Sequence, residues 1–235
     1  VNYNYSNKYY VNGSFRRDGS SVFHPDHRWG NFYGLGGAWI ASNEDFLSDV
    51  EVISNLKIKA SYGEQGNDNL FYPGYVSMEH RSHFGYGRNY TPYMDQYEIT
   101  ADAEGNPSIT QVYTGTKDLK WEVSRNFNAG FEIALFDNRL NVDFEFFNRK
   151  VSDMLFNFPQ APSSGIPAIS QNIGDMKNTG FEVAISGDVI RTADWNLNLW
   201  ANATHYKNKI TRLPQPFVTG GIFRFVEGQS AYTYY

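Results

Sequence analysis

No cysteine occurs in the 235 residues, so disulfides, thiolate metal sites and a cysteine nucleophile are all excluded. Basic residues are scarce: 20 Lys and Arg stand against 25 Asp and Glu, a formal net charge of −5 at pH 7. A nucleic-acid binder needs clustered cations to neutralise phosphates, and this balance offers no such excess. There is no run of about 18 apolar residues, which excludes a transmembrane helix. The chain begins at Val1 with no charged-then-apolar targeting segment, which reads as a mature chain or a piece of a larger one.

Aromatic residues, by contrast, are abundant. With 18 Phe, 17 Tyr and 5 Trp they make 17% of the chain, yet the mean hydropathy is −0.52. Two all-β architectures have this composition. One is a membrane barrel with aromatics at its interfaces and a polar interior. The other is a secreted carbohydrate-binding β-sandwich.

Period-two alternation dominates the chain, as it does wherever successive side chains point to opposite faces of a strand. Leu140, Val142, Phe144 and Phe146 share one face, and Asn141, Asp143 and Glu145 the other. Phe127, Ala129, Phe131, Ile133 and Leu135 alternate with Asn126, Asn128, Gly130 and Glu132. Between these runs Asp137-Asn138 predicts a two-residue hairpin turn, because both residues tolerate positive φ. A second hairpin joins the runs around Phe181–Val189 and Trp195–Ala203. The N-terminal third is Tyr-rich, Gly-rich and β-prone. The pattern predicts seven strands, at about 1–17, 29–42, 55–64, 119–136, 139–153, 177–190 and 195–209.

The connections alternate as well. Those at 43–54, 137–138 and 191–194 are compact; those at 18–28, 65–118, 154–176 and beyond 209 are long. Antiparallel strands put every second connection at the same end. All long loops therefore share one end, as in outer-membrane barrels with short periplasmic turns and long external loops. Within 65–118 there are weak strand signals near 70–78 and 109–114. Several predicted strands exceed the roughly 5–6 residues usual in globular sheets and the roughly 9–11 needed to cross hydrocarbon. Trp39, Trp195 and Tyr5 fall toward the short turns, Trp121 and Trp29 toward the long loops, as interface girdles would. Residues 42–47 predict a cap and one helical turn on the short-turn side. Seven is an odd number and bacterial barrels are even, so the chain reads as part of a longer barrel.

Candidate chemistry is sparse. His24, Asp26 and His27 are metal-ligand types, but Pro25 precludes a helix and no third ligand is evident. Asp102, Glu104 and Asn106 have calcium-loop flavour without the spacing of an EF-hand. Asp143 and Glu145 share a face as glycosidase carboxylates do, yet they belong to a regular polar ladder. No nucleophile elbow, phosphate loop or zinc-protease motif is present. The expectation is a protein that is no enzyme and has no cofactor, metal or catalytic residues. Ligand contacts are not assignable. Phe71, Tyr72, Tyr75, Phe84, Tyr86, Tyr90, Tyr93 and Tyr97 fit equally a ligand surface, a partner surface or packing of their own loop.

Several stretches resemble one family over nearly the whole chain. They are Phe15-Arg16-Arg17-Asp18-Gly19-Ser20-Ser21, Pro25-Asp26-His27-Arg28-Trp29-Gly30, and Asn55-Leu56-Lys57-Ile58-Lys59-Ala60-Ser61-Tyr62-Gly63 with Gly66-Asn67. Leu119-Lys120-Trp121-Glu122, Asp137-Asn138-Arg139-Leu140 and Asn148-Arg149-Lys150-Val151-Ser152-Asp153-Met154-Leu155 continue the match. Gln171-Asn172-Ile173-Gly174 and Asn178-Thr179-Gly180-Phe181-Glu182 complete it. In order and spacing the chain resembles the barrel of a SusC-like TonB-dependent outer-membrane transporter of Bacteroidetes. That resemblance implies an antiparallel up-and-down transmembrane barrel of about 22 strands, of which residues 1–235 form an arc, with 65–118 as a long external loop. It implies a plug and barrel ends not represented here. It further implies TonB-driven import of a glycan or peptide, contact with outer-membrane lipid, and a SusD-like surface lipoprotein as lid. His24 departs from the family, which commonly carries Gly there. A passive porin-like barrel is the neighbouring alternative.

Overall fold

The computed structural model describes residues 1–70, 91–101, 105–166, 168–220 and 223–233. Its strands are β1 (Asn2–Tyr5), β2 (Tyr9–Gly19), β3 (Trp29–Ile40), β4 (Ile53–Asn67), β5 (Gln96–Ala101), β6 (Pro107–Tyr113) and β7 (Glu122–Leu135). There follow β8 (Leu140–Ser152), β9 (Leu155–Pro159), β10 (Ala168–Asn172), β11 (Asp175–Arg191), β12 (Asn196–Arg212), β13 (Phe217–Gly220) and β14 (Phe223–Val226). Eight of them form one antiparallel sheet in the order β1-β2-β3-β4-β7-β8-β11-β12. Apart from β1, these strands are 11 to 17 residues long. The first and last strands do not meet, so the sheet is an open arc of a barrel.

The eighth strand corrects the expected count. The single strand predicted over 1–17 is a hairpin, broken where Ser6 and Asn7 take φ of 53° and 52°. Asn4 holds this turn by accepting from the Asn7 N–H at 3.1 Å. The argument from an odd number therefore falls, and the open edges themselves carry the conclusion. Unbroken β-propensity conceals a tight turn when the turn residues are Ser and Asn rather than Gly or Pro.

Register fixes two unlike faces. Phe144 lies opposite Phe131 and Val183, and Val183 opposite Ala203. The same parity continues through Ile58, Trp39 and Tyr9. This face remains exposed: Ile58, Phe131, Phe146, Phe181 and Ile185 are each 38–45% accessible. Among the described residues no second sheet covers it, which sets the sandwich alternative aside. The opposite face carries Asn12, Ser14, Lys57, Lys59, Ser61, Asn128, Glu132, Asp143 and Glu182. An apolar exterior backed by a polar interior is the arrangement of a membrane barrel wall.

Connections segregate as expected. Short ones at 6–8, 41–52, 136–139 and 192–195 share one end; long ones at 20–28, 68–121, 153–174 and after 212 share the other. The 136–139 turn is longer than the Asp137-Asn138 pair, because Phe136 joins them at φ of 55°. Its backbone is tied at both sides: Phe136 N–H donates to the Val52 carbonyl at 2.9 Å and Asn138 N–H to Ser54 Oγ at 3.1 Å. The helical turn expected at 42–47 is two short 3₁₀ turns, Ala41–Asn43 and Asp45–Leu47, with no side-chain cap. The long connections carry structure of their own: the hairpins β5–β6, β9–β10 and β13–β14. The signal near 109–114 is β6; that near 70–78 falls almost wholly outside the described residues.

Val22, Phe23, Leu70 and Leu119 form a small apolar core beneath the long loops. Trp121 packs against it, edge-on to Phe23 and Phe32 at 5.5 Å each, and its indole donates to the Arg28 carbonyl at 2.9 Å. Trp121 is thus a loop anchor and not the girdle residue expected. Trp29 does point outward, 56% exposed with Arg17 over its ring. At the short-turn end Trp39 stacks on Tyr9, and Trp195 is exposed.

Two close packings generate predictions. At Gly180 an added Cβ would meet the His205 carbonyl, with Tyr206 Cβ at 2.6 Å and Phe147 Cζ at 2.8 Å. Gly180→Val should destabilise the intact protein by about 1–3 kcal/mol through overpacking. An unchanged urea midpoint in detergent would refute this. At the short-turn end the Glu44 carboxylate accepts from the Tyr9 hydroxyl at 2.7 Å, Lys8 Nζ at 2.9 Å and Trp39 Nε1 at 3.1 Å. The Tyr9 bond first, then those of Lys8 and Trp39, hold its pKa at about 2, below the ordinary 4.5. A depressed carboxyl stabilises the fold fully above its unfolded value, and the contribution is lost as pH falls through the folded value. The Glu44 bonds should therefore hold at pH 5 and weaken between about 4.5 and 2. A carbon-detected NMR titration should place the Glu44 midpoint near 2 and shift it upward in Tyr9→Phe; a midpoint at 4.5 in the unaltered protein contradicts the arrangement.

Candidate functional site: the polar face of the arc

One strand makes room on the polar face. On β3 the positions facing that side at Gly34, Gly36 and Ala38 carry almost no side chain, so the backbone there is nearly bare, while Phe32 covers the face nearer the long loops. Tyr10 and Asn12 of β2 rise on one side and Lys57 and Lys59 of β4 on the other. Together with Asn128 and Glu145 they border an open depression of about 230 Å³. Its floor is main chain and its walls are hydroxyl, amide, ammonium and carboxylate.

The walls form one ionic network. Lys59 Nζ lies 2.9 Å from Glu132, 3.1 Å from Asp143 and 3.8 Å from Glu145. Lys57 Nζ is 3.3 Å from Glu132. Cross-strand register brings these groups together, since Lys59 pairs with Gly130 and Gly130 with Glu145. Gly130 is required there: a Cβ would strike the Phe144 carbonyl. Asp143 and Glu145 are thus engaged by Lys59, an ion-paired arrangement unlike a carboxylate pair poised around a glycosidic bond.

A second feature of this face was not legible in the alternation of apolar residues. Trp200 and Tyr206 occupy even positions on β12, on the polar side, with 75% and 53% exposure. Their signal in the sequence is an aromatic at the parity otherwise held by Asn198, Asn202 and Thr204. Phe147 and Tyr206 flank Gly180 from the two neighbouring strands, covering its bare backbone.

The other sequence candidates disperse. His24 Nδ1 lies 3.2 Å from Asp26 in its own turn, while His27 faces Asp118 at 3.9 Å. Among the described residues no group of three His, Asp or Glu side chains could hold a metal ion. Asp102 and Glu104 lie outside the described residues. Of the loop aromatics Tyr93 meets the His24 ring edge-on at 5.8 Å and Tyr97 is exposed. The rest, from Phe71 to Tyr90, lie outside the described residues. The loops nevertheless interlock: Tyr113 donates to Ser170 Oγ at 2.7 Å, which donates to Asn157 Oδ1 at 2.6 Å.

An open arc of long strands, apolar without and polar within, with its long loops at one end, defines the wall of an outer-membrane barrel. Residues 1–234 match the model of the family described as TonB dependent receptor-like, beta-barrel, and the chain belongs to that family. It is 33% identical over 214 residues to TonB-dependent receptor P3 of Formosa agariphila, covering 91% of this chain and 20% of that protein. It is 30% identical over 227 residues to TonB-dependent receptor SusC of Bacteroides thetaiotaomicron, covering 94% and 20%. The RagAB peptide importer in its closed-closed state superposes with a TM-score of 0.83 at 27% identity, covering 97% of this chain and 24% of that one. The chain thus spans about a fifth of the length of the curated relatives it matches. Outer-membrane location and a partial, unclosed barrel follow.

Partly exposed ion pairs are worth only about 0.2–1 kcal/mol each. Lys59→Ala leaves Glu132, Asp143 and Glu145 facing one another, and should lower the stability of the intact protein by about 1 kcal/mol, less at high salt. A melting temperature equal to the unaltered protein at low salt would show the network to be inert.

Proposed function

We propose that the chain is part of the wall of an active importer that draws a nutrient oligomer, an oligosaccharide or a peptide, across the outer membrane. The observation that carries this is the polar face: a glycine-floored depression bordered by hydrogen-bonding groups, with exposed Trp200 and Tyr206 further along the same surface. Both ligand classes are recognised by aromatic faces combined with Asn, Asp and backbone partners. Movement in this reading is gated passage without covalent chemistry. Energy comes from TonB through a plug inside the barrel, and a SusD-like lipoprotein closes the external mouth over the interlocked loops. The relatives named SusC and RagAB peptide importer support this reading over a passive porin.

The test is growth and uptake in the native host with the full-length gene deleted, on panels of defined glycans and peptides. The expected result is loss of uptake of one oligomer class, reproduced by deleting the TonB energy supply. Uptake of every oligomer unaffected by the deletion, or transport that persists without TonB, overturns the proposal.

A further inference from the structure

The apolar face ends in cations. Through register, Lys150 on β8 lies opposite Lys177 on β11, and Lys177 opposite Lys209 on β12. Arg125 on β7 lies opposite Lys150 on its other side. Four adjacent strands thus present a cation at one level. Lys207 adds a fifth, two residues along β12 and opposite Thr179. All share the parity of Phe131, Phe144, Val183 and Ala203, the face turned away from the polar interior.

Like charges directly opposite one another destabilise a sheet. Here the row is only partly compensated from within: Asp175, at the start of β11, lies near enough to Lys150 for their charges to attract. Arg125 alone has an acid, Glu64, at 2.8 Å. Among the described residues no carboxylate oxygen lies within 4.0 Å of the ammonium of Lys150, Lys177, Lys207 or Lys209. Asp175, the acid that begins β11, is engaged by Arg212 at 3.0 Å and by the Asp153 N–H at 3.1 Å. Lys150, Lys207 and Lys209 are exposed.

The level of the row is informative. Ten residues separate Leu140, at the short-turn end, from Lys150. At about 3.3 Å per residue and a tilt near 40°, that is a height of roughly 25 Å, the thickness of the apolar band of an outer-membrane barrel. The cations therefore stand at the upper edge of the hydrocarbon, on the long-loop side, where lipid headgroups begin. Below them the aromatic ladder Phe131–Phe144–Phe181–His205 runs with ring centroids 5.6–6.3 Å apart. A ligand with acyl chains on that ladder and phosphate above it would meet matching chemistry at both levels.

We propose that Lys150, Lys177, Lys207 and Lys209 form a binding site for the phosphorylated headgroup of a lipid in the external leaflet. The phosphate sits between cations that would otherwise repel, and cross-strand register holds them at a spacing suited to bridging. The site lies outside the transport passage, and it rests on the membrane-wall assignment of the apolar face rather than on the imported substrate.

The experiment uses the purified full-length protein in detergent, with diphosphorylated lipid A, the same lipid stripped of phosphate, and inorganic phosphate as probes. Binding is read by native mass spectrometry and by the melting temperature. The triple variant Lys150→Gln, Lys177→Gln, Lys209→Gln should bind the phosphorylated lipid at least tenfold more weakly. The corresponding Arg variants should retain it, which separates lost charge from lost folding. The dephosphorylated lipid should bind weakly to both. Equal binding of the phosphorylated lipid by the Gln variant, equal binding of the stripped lipid, or saturation by inorganic phosphate alone would each overturn the site.

Discussion

Backbone hydrogen bonding is the constraint on which the rest of this structure depends. In hydrocarbon no water can satisfy an open N–H or carbonyl, so each strand must find its partners in neighbouring strands. Long antiparallel pairing meets that demand, and with it comes strict alternation of side chains between two faces. Once β8 places Phe144 outward, Asp143 and Glu145 must point inward. The pairing of β7, β11 and β4 around it then carries the same division across the sheet. The ionic network at Lys59, the glycine floor of β3 and the outward aromatic ladder are three results of one register. A slip by a single residue would exchange all three at once.

The two ends of the arc are held by different chemistry. At the short-turn end, one carboxylate, Glu44, gathers the Lys8 turn, the start of β2 and the end of β3 into a single knot of charged and neutral donors. At the long-loop end, apolar burial takes over, with Phe23, Leu70 and Leu119 almost wholly enclosed and Trp121 wedged beneath them. The first solution suits a compact turn with little surface to bury. The second suits loops long enough to fold over themselves.

Much of this was legible in the sequence because period two is the strongest signal a half-lipid, half-water strand can give. The outward set is legible residue by residue on β7 and β8 and on β11 as far as Ile185, beyond which a bulge between Asp188 and Ile190 brings Ile190 opposite Leu197, and the sorting of long and short connections is legible too. What escaped had local physical causes. The Ser6–Asn7 turn lies between residues that are themselves good strand formers, so no break in propensity marks it. Trp121 has the composition of a girdle residue, but its neighbours Phe23 and Phe32 arrive from elements distant in sequence, and only folding brings them together. Trp200 and Tyr206 stand at the parity of Asn198, Asn202 and Thr204, where the alternation of apolar residues gives no sign of them. The glycine floor was equally silent: Gly-rich composition on β3 was evident, but its alignment against Asn12 and Lys59 is a property of pairing.

That floor also bears on how such a wall can change over generations. Any side chain added at Gly34 or Gly36 would project toward Ser14 or Asn12, whose side-chain atoms lie 2.7–3.2 Å from the new Cβ and are free to turn aside. The depth of the polar depression at this point is therefore adjustable by single codons, one methyl or hydroxyl at a time, without disturbing the ribbon that bears it. Gly130 and Gly180 have no such freedom, since main-chain oxygen stands in the way. Diversification among descendants would then be concentrated along one strip of the interior, while the strands on either side keep their shape.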